Sequence, residues 1–226
     1  MHVIAVDGLA ASGKSSTAKA VARRLGWAHL DSGALYRAIT LAVLDHLDES
    51  ERGSGQRARD LAIRLPIRLV RAGEEFYPSV AGVDVGGPIR SARVTGAVSQ
   101  VAALRAVRDW ATEEIRRAVH EAGGAVVVDG RDIGTVVFPE APLKVFLTAS
   151  PSARAERRLV QDGQRLSAEE VRAEAARLEQ RDAVDRGRAA APLREARDAV
   201  VLDTTKTSFP EQVDAIVALA RKVFGD

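Results

Sequence analysis

The chain has 226 residues, 46% of them hydrophobic, which suits one sizeable α/β domain or a core with a small inserted domain. With 33 basic and 31 acidic residues the formal charge is only +2, so no bulk attraction to nucleic acid is expected. The absence of cysteine, and four scattered histidines (His2, His29, His46, His120), exclude disulfide bridges and thiolate metal sites and make a zinc enzyme improbable.

The N-terminus passes from Met1 directly into the β-branched run "HVIAV", without the basic region and long apolar core of a signal segment. No apolar run approaches the roughly 18 residues that would span a bilayer, so a cytoplasmic protein without a membrane partner is expected. Next comes "GLAASGKS", Gly8 to Ser15, which has the spacing of a nucleotide-binding phosphate loop between a strand and a good helix. Gly8 and Gly13 let the backbone curl so that consecutive N–H groups reach phosphate oxygens, and Leu9, Ala10, Ala11 and Ser12 form the loop between them. Lys14 would reach the β- and γ-phosphates of ATP, while the Ser15 hydroxyl, followed by Ser16, would serve Mg2+.

Further strands are predicted at 28–30, 125–129, 143–148 and 199–203, each β-branched or apolar and separated from the next by helical spacing. The alternation predicts a parallel sheet with helices on both faces. Residues 48–100 interrupt this rhythm: "DESERGSGQR" reads as a polar loop, and the Gly- and Pro-punctuated stretch after it reads as short antiparallel strands. Helical spacing returns over 101–122.

A phosphate loop alone does not separate a kinase from a GTPase, a motor or a nucleotide sensor. "DSGALYR" opens a helix after the second strand, where Asp31 or Ser32 would either cap or bind ligand, with Arg37 further along. "DGRDIG" puts Asp129, Arg131 and Asp132 at the carboxyl end of the third strand, where open α/β sheets bind ligands; Asp129 either orients metal-bound water or turns the chain. Near the C-terminal end of a long helical stretch, Arg181, Asp185 and Arg188 in "RDAVDRGR" share one narrow helix face, either as surface ion pairs or as an anion site. Arg37, Arg131, Arg181 and Arg188 around one crevice would suit a phosphate monoester, with Asp185 accepting from sugar hydroxyls. An RNA-binding module is the non-enzymatic alternative, and 4% aromatic content with none beside these arginines argues against it.

Over nearly its whole length the chain resembles bacterial cytidylate kinases, a family of nucleoside monophosphate kinases. The resemblance rests on "DGLAASGKSS", "HLDSGALYRAITL", "SQVAALRAVR", "VVDGRDIGTVVFPEAPLKVFLTAS", "RDAVDRGRAAAPL" and "VLDTTKTSFPEQV". It implies a P-loop kinase fold with a five-stranded parallel sheet, an antiparallel insert in the acceptor-binding region and a helical lid. Residues 1–47 and 123–226 would form the kinase core, with the lid at about 150–167, and 48–122 the acceptor-binding region. By motif position Ser32, Ser99, Arg108 and Asp132 would read cytosine, Arg181 and Asp185 would hold the ribose, and Arg37, Arg131 and Arg188 the acceptor phosphate. Arg154, Arg157 and Arg158 fall at lid positions, where they either meet the transferring phosphate or lie on a solvated helix. The implied reaction moves the γ-phosphoryl group of ATP to CMP and dCMP in a monomer; UMP, AMP or a small metabolite are the alternative acceptors. Two departures from the pattern are Leu9 and Ala11 in the loop, where relatives often carry Pro and Gly, and "GVDVGGPIR" in the insert.

Overall fold

The computed structural model describes residues 2–164 and 166–225; Met1, Arg165 and Asp226 lie outside the description, so the expected lid range is covered except for Arg165. Five parallel strands form the centre: β1 (His2–Gly8), β2 (Ala28–Asp31), β6 (Ala125–Gly130), β7 (Leu143–Thr148) and β8 (Val200–Asp203). They stand in the order β2-β6-β1-β7-β8, with Ile4 of β1 in register with Val127 on one side and Leu143 on the other. β1, β6 and β7 are buried nearly end to end, as strands covered on both faces must be, whereas β8 is a partly exposed edge.

The pleat of β1 distributes its side chains between two cores. Val3 and Ala5 join Leu30, Leu35, Ile39 and Ile115 on one face, and Ile4 and Val6 join Val21, Val145, Ile216 and Val217 on the other. The first face is covered by α2 (Ser32–His46), α3 (Gly55–Arg64), α4 (Ala92–Val101) and α5 (Arg105–Glu121); the second by α1 (Lys14–Leu25) and α8 (Phe209–Phe224). Leu30 has no exposed surface, and Leu30→Ala is expected to cost about 2–5 kcal/mol in urea unfolding, with an unchanged midpoint contradicting this packing.

Residues 48–100 differ from their sequence reading in two ways. Helix α3 begins inside the supposed polar loop, with Ala58, Leu61 and Ala62 buried three and four residues apart. The antiparallel strands β3 (Ile67–Ala72), β4 (Glu75–Val80) and β5 (Val83–Asp84) do not make a separate sheet. Strand β4 lies parallel to β2 through His29 and Glu75, so the five expected strands become part of an eight-stranded sheet. Past β7, α6 (Pro151–Gln161) and α7 (Ala168–Arg186) pack on one another, and Gly163, just past the end of α6, has φ +66°. Among the described residues no helix is long and apolar enough to cross a membrane.

Candidate active site

The carboxyl ends of β1, β2 and β6 open into one cleft of about 1380 Å³. Beneath it the chain leaves β1 at Gly8, where a Cβ would come within 2.2 Å of the Leu147 carbonyl oxygen, so only glycine fits. Gly13 caps α1 with φ +87°, a conformation that favours glycine, and the first helical bond to form runs from Thr17 N–H to Gly13 O at 2.9 Å. The first-turn amides of Lys14, Ser15 and Ser16 are thereby left for an anion, which the positive end of α1 also favours.

Not every loop residue is available in this way. Leu9 is buried against Phe146 and Leu193 and donates its amide to Leu147 O at 3.2 Å. Ala10 N–H donates to Asp182 at 2.9 Å, and its carbonyl accepts from Arg154 at 3.1 Å. Gly8, Leu9 and Ser12 do not line the cleft, whereas Ala10, Ala11, Gly13, Lys14, Ser15 and Ser16 do.

Lys14 is almost fully buried. Desolvation, reinforced by the charge of Arg131, brings its ammonium down to about 7 in spite of the opposing pull of Asp129 and Asp31. Asp129, ending β6, accepts from Ser15 Oγ at 2.5 Å and is in contact with His29 Nε2 at 2.8 Å, while Ser32 Oγ donates to its backbone carbonyl at 2.7 Å. Burial alone would raise the Asp129 carboxyl, but His29, Lys14 and Ser15 outweigh it and hold it below the usual carboxylate range. Its neighbour Asp31 is pushed upward by burial and by the Asp129 charge, and it caps α2 by accepting from Gly33 N–H at 2.9 Å.

The arginines singled out from separate parts of the sequence line the same cleft. Asp185 is the pivot, with Arg131 Nε at 3.1 Å from one oxygen and Arg188 Nη2 on the other. Arg188 lies past the C-terminal end of α7, beyond Gly187, yet still reaches Asp185. Arg37 Nη1 donates to Thr95 Oγ1 at 2.9 Å and to Ile89 O at 3.2 Å. The Nε groups of Arg181 and Arg188 are buried with no partner. Burial together with the charge of Arg131 pulls Arg181 down to about 10; burial first, then Arg158, Arg90 and Arg131, lowers Arg37, and burial, then Arg108 and Arg131, lowers Arg188. So many cations at close quarters, whose mutual repulsion the carboxylates among them only partly offset, make a site for a polyanion.

Beside this cluster, Arg108 and Asp132 are both nearly fully buried and 2.6 Å apart. Asp132 Oδ2 nevertheless lacks an aligned hydrogen-bond donor. Arg108 donates to Ala102 O at 3.0 Å and lies 5.0 Å above the centre of the Tyr36 ring. Ser32, Ser99, Arg157 and Arg158 line the cleft as well. Arg157 donates to Thr204 Oγ1 at 2.9 Å, and Arg158 pairs with Asp162 at 2.9 Å. Arg154 departs from its expected place: it is buried outside the cleft, paired with Asp182 on α7, because it supplies the countercharge that a buried carboxylate needs.

The family profile described as cytidylate kinase matches residues 4–222 of this sequence. The chain belongs to the cytidylate kinase family. Cytidylate kinases from Salmonella paratyphi B and Salmonella newport are each 42% identical to it over 223 residues, covering 97% of this chain and 95% of theirs. A solved structure of an uncharacterized protein from Eubacterium ventriosum, 13% identical, aligns with a TM-score of 0.53 over 97% of this chain and 98% of that one, a likeness of fold alone.

Among the lining residues of this cytidylate kinase family member that sequence reasoning does not single out are His29, Tyr36 and Thr95. His29 was grouped with the scattered histidines, although it stands two residues before Asp31 on β2, a spacing that puts both side chains on one face of a strand. Tyr36, whose buried hydroxyl has no partner, lies one residue before Arg37. Thr95, which holds Arg37, sits on α4, within the stretch expected to be an antiparallel insert.

Proposed function

We propose that this cytidylate kinase family member transfers the γ-phosphoryl group of ATP to CMP, and to dCMP, releasing ADP and the corresponding diphosphate. The observation that carries the reading is the set of mutually repelling cations, Lys14, Arg37, Arg131, Arg181 and Arg188, lining one cleft above a phosphate loop. Two phosphate-bearing substrates meeting there would relieve that repulsion, and the relief is greatest where charge develops during transfer. The loop and Lys14 hold the donor, while Arg37, Arg131 and Arg188 hold the acceptor phosphate, whose attacking oxygen is already ionised near neutral pH. No general base is required, and positioning the two phosphates in line supplies much of the acceleration.

The pairing of Arg108 with Asp132 supports cytosine as the base. The exocyclic amine of cytosine donates to a carboxylate such as Asp132, and its ring nitrogen and carbonyl accept from an arginine, whereas the corresponding oxygen of uracil would meet the carboxylate unfavourably. Arg181 and Asp185 serve the ribose, and Arg157 and Arg158 belong to a lid that excludes water from the transferring group. Residues 48–122 act as the acceptor-binding region on a core made of the rest, in a cytoplasmic monomer without a nucleic-acid or membrane partner.

Among the described residues no group of three or more His, Asp or Glu could hold a metal ion by itself. The Ser15 hydroxyl beside the Asp129 carboxylate fits Mg2+ that shares its remaining ligands with phosphates and water. Bound there, the ion would neutralise charge on the β- and γ-phosphates.

The deciding experiment is a coupled assay of ADP release with each nucleoside monophosphate in turn and ATP alone as the control for leakage. CMP and dCMP are expected to support turnover; a profile led by AMP or by a phosphate-free acceptor would overturn the assignment. Lys14 adds a pH test. Its ammonium is charged only below about 7 in the free protein, and a bound triphosphate raises it again. ATP binding at pH 8 should therefore take up about one proton, and affinity should be flat below pH 7 in this respect and weaken about tenfold per pH unit above it. Calorimetric titrations in buffers of different ionisation heat measure that uptake, which Lys14→Ala should abolish.

A further inference from the structure

We propose that Arg154 and Asp182 are positioning residues that couple donor binding to acceptor binding, by tying the Ala10 peptide of the phosphate loop to the helix that carries Arg181 and Asp185. The inference rests on the assignment of the loop to ATP and of that helix to the pyrimidine monophosphate.

Both backbone polar groups of Ala10 are taken by this pair. Asp182 Oδ1 accepts from Ala10 N–H at 2.9 Å, and Arg154 Nη1 donates to Ala10 O at 3.1 Å. The same Nη1 pairs with Asp182 Oδ2, and Arg154 Nε donates to Ala149 O at 3.2 Å, where β7 gives way to α6. Arg154 is 3% exposed and Asp182 1%, so no water competes for these bonds. An apolar contact of Ala10, Ala155 and Leu178 closes the joint.

The pair, with that apolar contact, thus joins three elements: the tip of the phosphate loop, α6 and α7. Asp182 follows Arg181 directly and precedes Asp185 by less than one helical turn, so α7 cannot shift to meet an acceptor without moving the group that holds Ala10. Arg157, one turn further along α6, reaches the Ser12 carbonyl at 3.5 Å and reinforces the link to the loop.

Fold stability alone is a poor account of the pair. A buried ion pair recovers little more than its own desolvation, and apolar pairs of similar volume often replace one without loss. A coupling role accounts for what an apolar pair could not do, the orientation of the backbone on both sides of Ala10 in the loop. Whichever ligand binds first fixes α7 and the loop together, so the second no longer has to order them, and the gain is reciprocal.

The test is the affinity of the β,γ-methylene analogue of ATP, which cannot react, measured by calorimetry without CMP and with saturating CMP, and the reverse titration. The native protein should bind each ligand at least about fivefold more tightly when the other is present. In Asp182→Asn, in Arg154→Lys, and in the double variant Arg154→Met with Asp182→Leu, that ratio should fall to about one, with CMP alone still bound. A ratio near one in the native protein, or a native ratio kept by any folded variant, would overturn the proposal. Failure of all three variants to fold would show the pair to be structural and would also overturn it. If the native protein does not bind CMP at all, the acceptor assignment fails and this inference with it; if both ligands bind independently, only the inference falls.

Discussion

Lys14→Ala is expected to lower kcat/KM for ATP by about a thousandfold, the scale on which phosphoryl-transfer enzymes lose a preorganised cation at the transferring group. Among the described lysines only Lys14 and Lys19 line the cleft, and Lys19 is held by Glu75 at 2.7 Å, so no second ammonium can take over. The same substitution should not weaken the fold. Lys14 has its pKa in the folded protein at about 7, below its value in the unfolded chain, so burying its charged form opposes folding. That cost is present in full below pH 7 and is relieved as pH rises from 7 toward the ordinary lysine value. At pH 6 the alanine variant should accordingly melt at or above the temperature of the native protein while turning over far more slowly. A variant that keeps its rate would remove Lys14 from the mechanism; one that melts much earlier would show that the loop, rather than the charge, had been lost.

The second large effect is expected at Arg131→Ala, with kcat/KM for CMP down about a hundredfold to a thousandfold. Arg131 is the group whose charge is felt by Lys14, Arg37, Arg181 and Arg188 alike, and its Nε is 3.1 Å from Asp185. Asp185 keeps Arg188 in the variant, so the carboxylate is not left unpaired, and the loss falls on the acceptor phosphate. Arg131→Lys should rescue little, because an ammonium cannot offer two parallel N–H bonds to phosphate. An independent readout is the proton uptake on ATP binding. Removing a neighbouring positive charge raises the Lys14 pKa, so in Arg131→Ala the onset of pH-dependent affinity should move above 7. Unchanged CMP kinetics together with an unmoved pH profile would exclude Arg131 from the site.

Much of the architecture was legible before any coordinates. The five central strands fall within a few residues of their expected positions, since a parallel strand buried on both faces has to be an apolar, β-branched run. Helix α3 and the extension of the sheet through β4 were not legible. The first has a short apolar stripe next to a polar, Gly-containing stretch, and the second depends on a single paired position, His29 with Glu75, between segments far apart in the chain. Local patterning cannot report a partner 46 residues away.

The sequence by itself determined the phosphate loop, since "GLAASGKS" meets requirements that are local: glycines where a Cβ would collide or φ turns positive, a lysine and a serine at the start of a helix, and a buried strand before them. It also determined which arginines were available, but not what each one does. Only the tertiary structure decided that Arg37, Arg131, Arg181 and Arg188 line one cleft while Arg154, alike in residue type and on a helix with Arg157 and Arg158, is buried against Asp182. The reason is physical: the role of a guanidinium is set by which carboxylates and carbonyls lie within about 3 Å of it, and those come from strands and helices that only the closed fold brings together.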